Sequence, residues 1–338
     1  ALSGDALISL AADGGKTTGT RGSDPGMLKH PRGFAMDTTG NFWIADTGND
    51  RLQKFNRDGA LLQVIGRPGS KEGEFNSPSA VALTRKGNIV VADTGNRRVQ
   101  VFSAKGLFLG AFGRSGSQTG QFSDPVGLAV DGSENIYVVD RGNNRIAKFD
   151  NSGSLLWEAG KAGKQDGEFK DPEAIIVSPD GEVYVLDAGN GRVQVFDRNG
   201  KFLRKFGNEG KGPGELRSPA GLALEGGIRL SIGDRGNKRV QVFALRHTPA
   251  VPAEVTAQPK MNEVQIGWRP NPESFLEHYK VYRSDAPGGE YKLLTATTEP
   301  FFVDRVLPSN RAFHYRISSQ AKDGNSGCSG PVHSRRIR

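Results

Sequence analysis

A step of 47 residues recurs through the first 245 residues of this chain and restricts its fold more than any other feature. It separates five prolines, five aspartates, five arginines and five phenylalanines. Five units at equal spacing, with no insertion between them, indicate one supersecondary unit repeated five times. The sets are Pro31, Pro78, Pro125, Pro172 and Pro219; Asp46, Asp93, Asp140, Asp187 and Asp234; Arg51, Arg98, Arg145, Arg192 and Arg239; Phe55, Phe102, Phe149, Phe196 and Phe243.

Each unit contains four short apolar segments divided by turn residues. In the third unit they are residues 123–131, 135–140, 145–149 and 154–159. Alternating apolar residues between Gly, Asn and Asp clusters are typical of strands joined by tight turns. Four short strands cannot bury their faces alone, so the units must pack against one another around an axis. The prediction is an all-β, five-bladed β-propeller of four-stranded blades.

The fifth unit ends early, because residues 241–244 run directly into a proline-containing segment. Its outermost strand is therefore missing from the unit itself. The apolar stretch Ala6–Ala11 has the composition of a strand and precedes the first complete unit. We predict that this N-terminal strand closes the last blade, which would leave no open sheet edge.

The repeated motif resembles the NHL repeat family. Ala45–Asn49 followed by Arg51, and Ala92–Asn96 followed by Arg98, carry the resemblance together with the flanking Gly-Glu-Phe and Pro-x-Gly elements. The likeness extends over about residues 28–245. It implies a β-propeller domain, assigned here to residues 1–246, whose variable loops bind partners.

The period breaks near Pro249, and residues 247–338 are predicted to form a second domain. Val264–Trp268 and Tyr279–Tyr282 alternate as strands do, and Tyr315 is placed like the tyrosine corner of immunoglobulin-like folds. These features resemble a fibronectin type III domain. The resemblance implies a small Ig-like β-sandwich.

The recurring pattern Asp, then Gly-Asn-x-Arg, could hold a metal or an anion, but we interpret it as structural. The turn needs glycine for positive φ, Asn or Asp to bond its own backbone, and a partner for the arginine. A feature present in every unit is explained most simply by the unit itself. The structural assignment covers all ten Asp and Arg positions given above.

Ligand specificity is expected where the units differ, which is at the tips of these turns and in the loops that follow the outermost strands. Basic residues dominate that variation, with acidic residues such as Glu72 and Asp166 among them. We hypothesise a binding face there. Its candidate residues are Arg97, Arg114, Arg141, Lys161, Arg235 and Lys238.

No catalytic residue, metal site or cofactor is predicted. Some propellers related to NHL repeats are lyases that hold a metal through histidines, but His30 is the only histidine in the five units. A zinc site needs three or four converging donors. Cys328 is the only cysteine, which removes any cysteine cluster and any intrachain disulfide. A metal-dependent lyase or hydrolase remains an alternative reading.

RNA binding is a second alternative, because some NHL propellers bind single-stranded RNA on the basic face. The net charge of +8 is mild and spread along the chain. Single-strand recognition usually adds aromatic platforms for bases. Here the recurring Phe75, Phe122 and Phe169, and also Trp43 and Trp157, are predicted to belong to the core. Nucleic acid is therefore disfavoured as a partner.

The function predicted from these observations is non-catalytic binding or scaffolding. One propeller face would bind a protein or a glycan. No run of about 18 apolar residues is present, so no membrane insertion is expected. The combination of NHL repeats with a fibronectin-like domain resembles bacterial extracytoplasmic proteins, and this analogy alone suggests a periplasmic, cell-surface or secreted location.

Overall fold

The structure is a computed structural model that describes residues 2–3, 6–11, 14–245, 251–260, 263–271, 276–286, 289–305, 312–321, 326–328 and 332–333. The chain divides into two compact units. The first comprises Ala1–Ala223 with Ser231–Gln241, and the second comprises Leu224–Leu230 with Val242–Arg338. The predicted boundary between residues 246 and 247 lies outside the described residues.

The predicted all-β architecture is confirmed, with antiparallel four-stranded sheets repeating along the chain. The N-terminal strands are β1 (Leu2–Ser3), β2 (Ala6–Ala11) and β3 (Gly14–Thr18). The first two repeats contain β4 (Phe34–Met36), β5 (Phe42–Asp46), β6 (Arg51–Phe55) and β7 (Leu61–Ile65), then β8 (Ala80–Leu83), β9 (Ile89–Asp93), β10 (Arg98–Phe102) and β11 (Phe108–Phe112).

The later repeats follow the same plan. The third and fourth contain β12 (Pro125–Val130), β13 (Ile136–Asp140), β14 (Arg145–Phe149) and β15 (Leu155–Ala159), then β16 (Pro172–Val177), β17 (Val183–Asp187), β18 (Arg192–Phe196) and β19 (Phe202–Phe206). After the short β20 (Asn208–Glu209) and β21 (Glu215–Leu216), the fifth repeat contributes three strands, β22 (Leu222–Glu225), β23 (Arg229–Asp234) and β24 (Arg239–Ala244).

A short 3-10 turn connects the second and third strands of every repeat. These turns are Thr47–Asn49, Thr94–Asn96, Arg141–Asn143, Ala188–Asn190 and Arg235–Asn237. The residue after each turn adopts a left-handed conformation. Antiparallel pairing places these turns and the loops between repeats at one end of the sheets, which we call the hairpin face.

The N-terminal strand is placed differently from the prediction. Strand β2 forms as expected, but it pairs with β1 on one edge and β3 on the other, so both its edges are occupied. Strand β3 begins eight residues after β2 begins, whereas the fifth repeat is far away in sequence. Pairing β2 with β3 therefore costs less loop-closure entropy than pairing it with the fifth repeat. Strand β3 also lies one 47-residue step before β7, which gives β3 the phase of an outermost strand.

One position of the fifth repeat is exposed although the same position is buried in the other four repeats. Val240 is 68% exposed, whereas Leu52, Val99, Ile146 and Val193 at the same position of the other repeats are fully buried. Closure by β2 is therefore not found in the described residues. The number of blades, five from the sequence, stays a prediction.

Apolar side chains from neighbouring repeats form a shared core in the first unit. Val90, Val99 and Phe122 pack with Ile136 and Phe149, for example. The prediction that Phe75, Phe122 and Phe169 belong to the core is confirmed, since all three are fully buried. Trp43 is likewise buried. The repeats therefore depend on their neighbours to bury their faces.

The second unit contains two antiparallel sheets with one core between them, as a sandwich does. Trp268 contacts Tyr279 edge to face across this core, with 5.1 Å between the ring centroids. Tyr315 is buried, but its hydroxyl donates to the Asp304 carboxylate at 3.0 Å rather than to an upstream carbonyl. The fibronectin type III assignment stays a prediction. The strands are β25 (Ala253–Lys260), β26 (Glu263–Arg269), β27 (Leu276–Ser284), β28 (Lys292–Thr297), β29 (Phe301–Asp304), β30 (His314–Ala321), β31 (Ser326–Cys328) and β32 (Val332–His333).

Truncation of Phe122 tests the shared core. Its ring is fully buried and packs on Phe149 with 5.6 Å between centroids. We expect Phe122→Ala to lower the free energy of unfolding by about 3 to 5 kcal/mol. Leu107→Ala, at a side chain that is 66% exposed, should change it by about 0.5 kcal/mol or less. Urea unfolding measures both, and similar losses would contradict the inter-repeat core.

Candidate binding face

The second repeat shows how the hairpin face is built around a buried carboxylate. Asp93 is fully buried at the end of β9. Its Oδ1 accepts the backbone N–H of Asn76 at 2.8 Å. Its Oδ2 accepts Asn96 Nδ2 at 2.9 Å, Arg98 Nε at 2.8 Å and Gln100 Nε2 at 3.0 Å. Four donors compensate the desolvation of this carboxylate.

The same arginine and glutamine also hold the loop that arrives from the preceding repeat. Arg98 Nη2 donates to the carbonyls of Lys71 and Glu74 at 2.7 and 2.9 Å. Gln100 Nε2 donates to the Glu74 carbonyl, and its Oε1 accepts the Gly73 N–H at 3.0 Å. The network therefore fixes a loop between repeats to a turn within one repeat.

The carboxylate network recurs in the first, fourth and fifth repeats, which supports the structural interpretation of the motif. The Arg Nε to Asp Oδ2 distances are 2.7 Å for Arg51 with Asp46, 2.7 Å for Arg192 with Asp187, and 2.8 Å for Arg239 with Asp234. Burial alone would raise the pKa of Asp234, but hydrogen bonds from the Arg217 N–H and from Asn237 more than offset this, and the pKa is lowered.

The third repeat departs from the pattern and compensates for it. Ala147 stands where the other repeats have glutamine, and Glu158 is its cross-strand partner. Glu158 Oε1 accepts the Gly120 N–H at 3.0 Å, and its Oε2 accepts Arg145 Nη1 at 3.2 Å. Arg145 Nε lies 3.5 Å from the Asp140 carboxylate and has no hydrogen-bond partner. The glutamate thus replaces one function of the missing amide from the neighbouring strand.

The six predicted binding residues all lie on the hairpin face, but their surroundings differ. Arg97 and Lys238 follow the 3-10 turns at φ of 55° and 54°, and their side chains are exposed. Arg97 Nη1 donates to the Ser115 hydroxyl at 2.8 Å. Arg114 and Arg235 are also exposed. These four side chains present positive charge to solvent.

Arg141 is held between two carboxylates. Its Nη2 lies 2.7 Å from Asp124 Oδ2, and its Nη1 lies 2.8 Å from Glu173 Oε1 in the next repeat. Burial alone would lower the pKa of the guanidinium, but the hydrogen bond to Asp124 and the charge of Glu173 raise it. The structure therefore gives Arg141 a bridging position between two repeats.

Two exposed cations on the loops are paired with glutamates. Lys161 Nζ lies 3.3 Å from Glu168 Oε1, and Arg67 Nη2 lies 3.0 Å from Glu74 Oε1. The main cause that lowers the pKa of Glu168 is the hydrogen bond it accepts from the Gln165 N–H. For Glu74 the main cause is the hydrogen bond it accepts from the Lys71 N–H. Sequence reasoning counted Lys161 as a binding residue without seeing this pairing. The seven-residue spacing common to both pairs is the signal that could have revealed it.

In the part of the chain that the structure describes, no three His, Cys, Asp or Glu side chains converge as metal ligands would. Among the described residues, no helix has the length and apolar character of a membrane span.

Comparisons with known proteins agree with this geometry. The NHL repeat model matches residues 28–55, 75–102 and 122–149. The chain therefore contains NHL repeats. A second family, described as a 6-bladed beta-propeller, matches residues 164–248 and differs from the predicted count of five blades. No curated protein matches the sequence significantly.

Several solved structures share the fold of this chain. Virginiamycin B lyase from Staphylococcus aureus is 16% identical with a TM-score of 0.53, over 72% of this chain and 74% of that protein. A streptogramin B lyase is 14% identical with a TM-score of 0.51, over 80% and 89%. A protein of unknown function from Bacteroides caccae is 17% identical with a TM-score of 0.50, over 65% and 80%. At these identities the likeness concerns the fold alone.

The compensation in the third repeat can be tested by restoring the common pattern. We expect Glu158→Ala to cost about 1 to 3 kcal/mol, because the Gly120 N–H and Arg145 lose an acceptor. Adding Ala147→Gln should recover most of that loss, because the amide then takes its usual place. Chemical unfolding of the single and double variants measures the coupling. Additive losses would show that Glu158 does not substitute for the glutamine.

Proposed function

We propose that this protein is a non-catalytic binding or scaffold protein whose hairpin face binds a protein or a glycan outside the cytoplasm. One observation carries the proposal. The aspartates that recur in every repeat are fully buried and accept backbone hydrogen bonds, as Asp93 does, whereas Arg97, Arg235 and Lys238, at turn positions that vary between repeats, are exposed. A fixed framework with variable exposed tips is the usual arrangement of a recognition surface.

The charge of the face favours a polar partner with some anionic groups. Arg97, Arg114, Arg235 and Lys238 are exposed cations, while Arg67 and Lys161 are paired with glutamates. Alternating charges steer association and select a complementary partner more than they add affinity. An acidic glycan or a protein with a mixed polar surface fits this distribution better than a uniformly charged polyanion does.

Single-stranded RNA is less well supported as the partner. Base recognition on a propeller face would use exposed aromatic rings for stacking. The recurring Phe75, Phe122 and Phe169 are instead fully buried in the core. A purely electrostatic RNA complex would have a steep dependence on salt concentration, which gives a direct way to distinguish it.

The similarity to two lyase structures is what supports a lyase activity. At 16% and 14% sequence identity, that similarity concerns the fold alone. Folds of this kind host many unrelated functions, so the site has to carry the assignment. In this chain the repeated carboxylates are engaged in backbone bonds. The proposal is therefore binding, with a metal-dependent lyase or hydrolase as the alternative.

The fibronectin-like assignment of residues 247–338 and the location outside the cytoplasm belong to the same proposal. Both rest on analogy with proteins that combine an NHL propeller with such a domain. In that role the second domain would orient the propeller for its partner.

Charge reversal on the hairpin face tests the proposal. The test variant changes Arg97, Arg114, Arg235 and Lys238 to Glu. The control variant makes the same change in charge at the opposite end of the sheets, at the exposed Arg57, Lys105, Arg198 and Lys201. We expect the wild type and the control to bind the same members of an array of acidic glycans and acidic proteins, and the test variant to lose about tenfold or more in affinity.

Biolayer interferometry at two salt concentrations measures these affinities, with single-stranded RNA as an added probe. Equal binding by the test and control variants would overturn the hairpin face as the binding surface. Tighter binding to RNA than to glycan or protein, with a steep salt dependence, would replace the proposed partner class.

A further inference from the structure

A cavity of about 260 Å³ lies between the second and third repeats. Val90, Val101 and Ile136 are among its apolar lining, and Thr84 and Asn151 are among its polar lining. It lies at the end of the sheets where the first and second strands, and the third and fourth strands, are joined by turns. This is the end opposite the hairpin face.

The cavity exists because three positions of the second repeat carry small residues. The first four repeats can be compared directly at 47-residue steps. Val90 corresponds to aromatic residues, Gly110 corresponds to large side chains, and Val101 corresponds to lysine in two repeats. The three series are Trp43, Val90, Tyr137 and Tyr184; Lys54, Val101, Lys148 and Val195; and Gln63, Gly110, Trp157 and Arg204.

The groove between the third and fourth repeats shows what occupies this space elsewhere. Tyr137 and Trp157 meet edge to face with 5.9 Å between their centroids. Lys148 Nζ lies 4.9 Å from the centroid of the Tyr137 ring. The first groove likewise holds the Trp43 ring with Lys54 Nζ 5.6 Å from its centroid. The grooves on both sides of the cavity are therefore filled by aromatic rings.

The polar atoms of the filled groove have counterparts at the cavity. The Tyr137 hydroxyl donates to Asp131 Oδ2 at 3.1 Å, and Trp157 Nε1 donates to the Arg198 carbonyl at 3.1 Å. One step earlier in sequence, Asp131 corresponds to Thr84 and Arg198 corresponds to Asn151. Both of these line the cavity. By this correspondence, the Thr84 hydroxyl and the Asn151 carbonyl take the positions of the groups that accept the phenol and the indole in the neighbouring groove.

The backbone does not require glycine at residue 110. Gly110 lies inside β11, its φ is outside the left-handed region, and a Cβ built on it would have no atom within 4 Å. Glycine in a strand usually marks a bulge or a close approach of another group. A register shift lies beside Gly110, but the same shift occurs in the repeats that carry Gln63, Trp157 or Arg204 at this position, so it does not require glycine. The effect of this glycine is the open space itself.

We propose that this cavity binds a planar aromatic ring that carries an N–H or O–H donor, namely an indole or a phenol. The ring takes the place of the aromatic side chains that the neighbouring repeats supply themselves. Cavities for drug-sized ligands usually measure about 300 to 1,000 Å³, so the smaller volume suits a single ring system. The site is separate from the hairpin face, and its occupancy does not depend on the proposed partner there.

Titration of the full chain with four probes tests the proposal by ligand-detected NMR and calorimetry. The probes are indole, N-acetyl-tryptophanamide, a five-residue Gly peptide with one central Trp, and N-acetyl-leucinamide as the aliphatic control. We expect the three aromatic probes to bind at one site and the leucine amide to show no binding. Tighter binding of the peptide would identify a partner's side chain as the natural ring, and tighter binding of indole would identify a free aromatic compound.

Variants that fill the cavity provide the decisive comparison. Gly110→Trp introduces the residue found one repeat later, and Val90→Tyr does the same at the second position. Each should weaken binding of the aromatic probes about tenfold or more. Gln63→Trp, at the same strand position of the first repeat, should leave binding unchanged.

Thermal unfolding shows whether each variant is folded. If Gly110→Trp is not folded, Val90→Tyr provides the comparison with the wild type. Absence of binding by all aromatic probes to the wild type would overturn the proposal. So would binding that persists in a folded variant with either substitution.

Discussion

The buried carboxylate at the end of each second strand is the interaction on which the propeller unit depends. Asp93 and its counterparts accept hydrogen bonds from a turn in their own repeat and from the loop that precedes that repeat. A buried charge is costly unless every lone pair finds a donor. Two of the donors, the Asn76 N–H and the Asn96 side chain, come from a loop and a turn outside the strands. The carboxylate therefore orders the loop between repeats, while the shared apolar core holds the sheets together.

This division explains where the repeats are free to differ. Positions that donate to the carboxylate cannot change alone, and the third repeat shows that loss of a glutamine at Ala147 is matched by Glu158 on the adjacent strand. Variation is tolerated at the exposed tips of the turns and in the grooves between sheets at the opposite end. The tips of the turns carry the cations of the proposed binding surface, and the grooves at the opposite end include the cavity beside Gly110.

Much of this architecture could be predicted from the sequence, because an uninterrupted 47-residue step fixes which residues are equivalent. The burial of Phe75, Phe122 and Phe169 and the structural use of the Asp and Arg positions follow from that equivalence. Closure of the fifth repeat by Ala6–Ala11 is not found in the described residues, because this strand pairs with Leu2–Ser3 and Gly14–Thr18. Apolar composition singles out Ala6–Ala11, whereas the 47-residue phase gives Gly14–Thr18 the position of an outermost strand.

The electrostatic details of the hairpin face were less accessible. The pairing of Arg141 with Asp124 and Glu173 brings together residues from two repeats, and sequence distance does not indicate such a contact. The cavity could have been found by comparing residues at equivalent positions, since Gly110 and Val90 are the small members of their series. Its shape, however, depends on Ile136 and Asn151 from the next repeat.

Amide hydrogen exchange at the loops between repeats tests the central claim most directly. The N–H groups of Lys29, Asn76, Lys170 and Arg217 donate to the buried carboxylates at 2.7 to 2.8 Å. We predict that they exchange about as slowly as the amides of the adjacent strands, and that Asp93→Ala makes the Asn76 amide exchange rapidly while the other three stay protected. Rapid exchange of these amides in the wild-type protein would contradict the account.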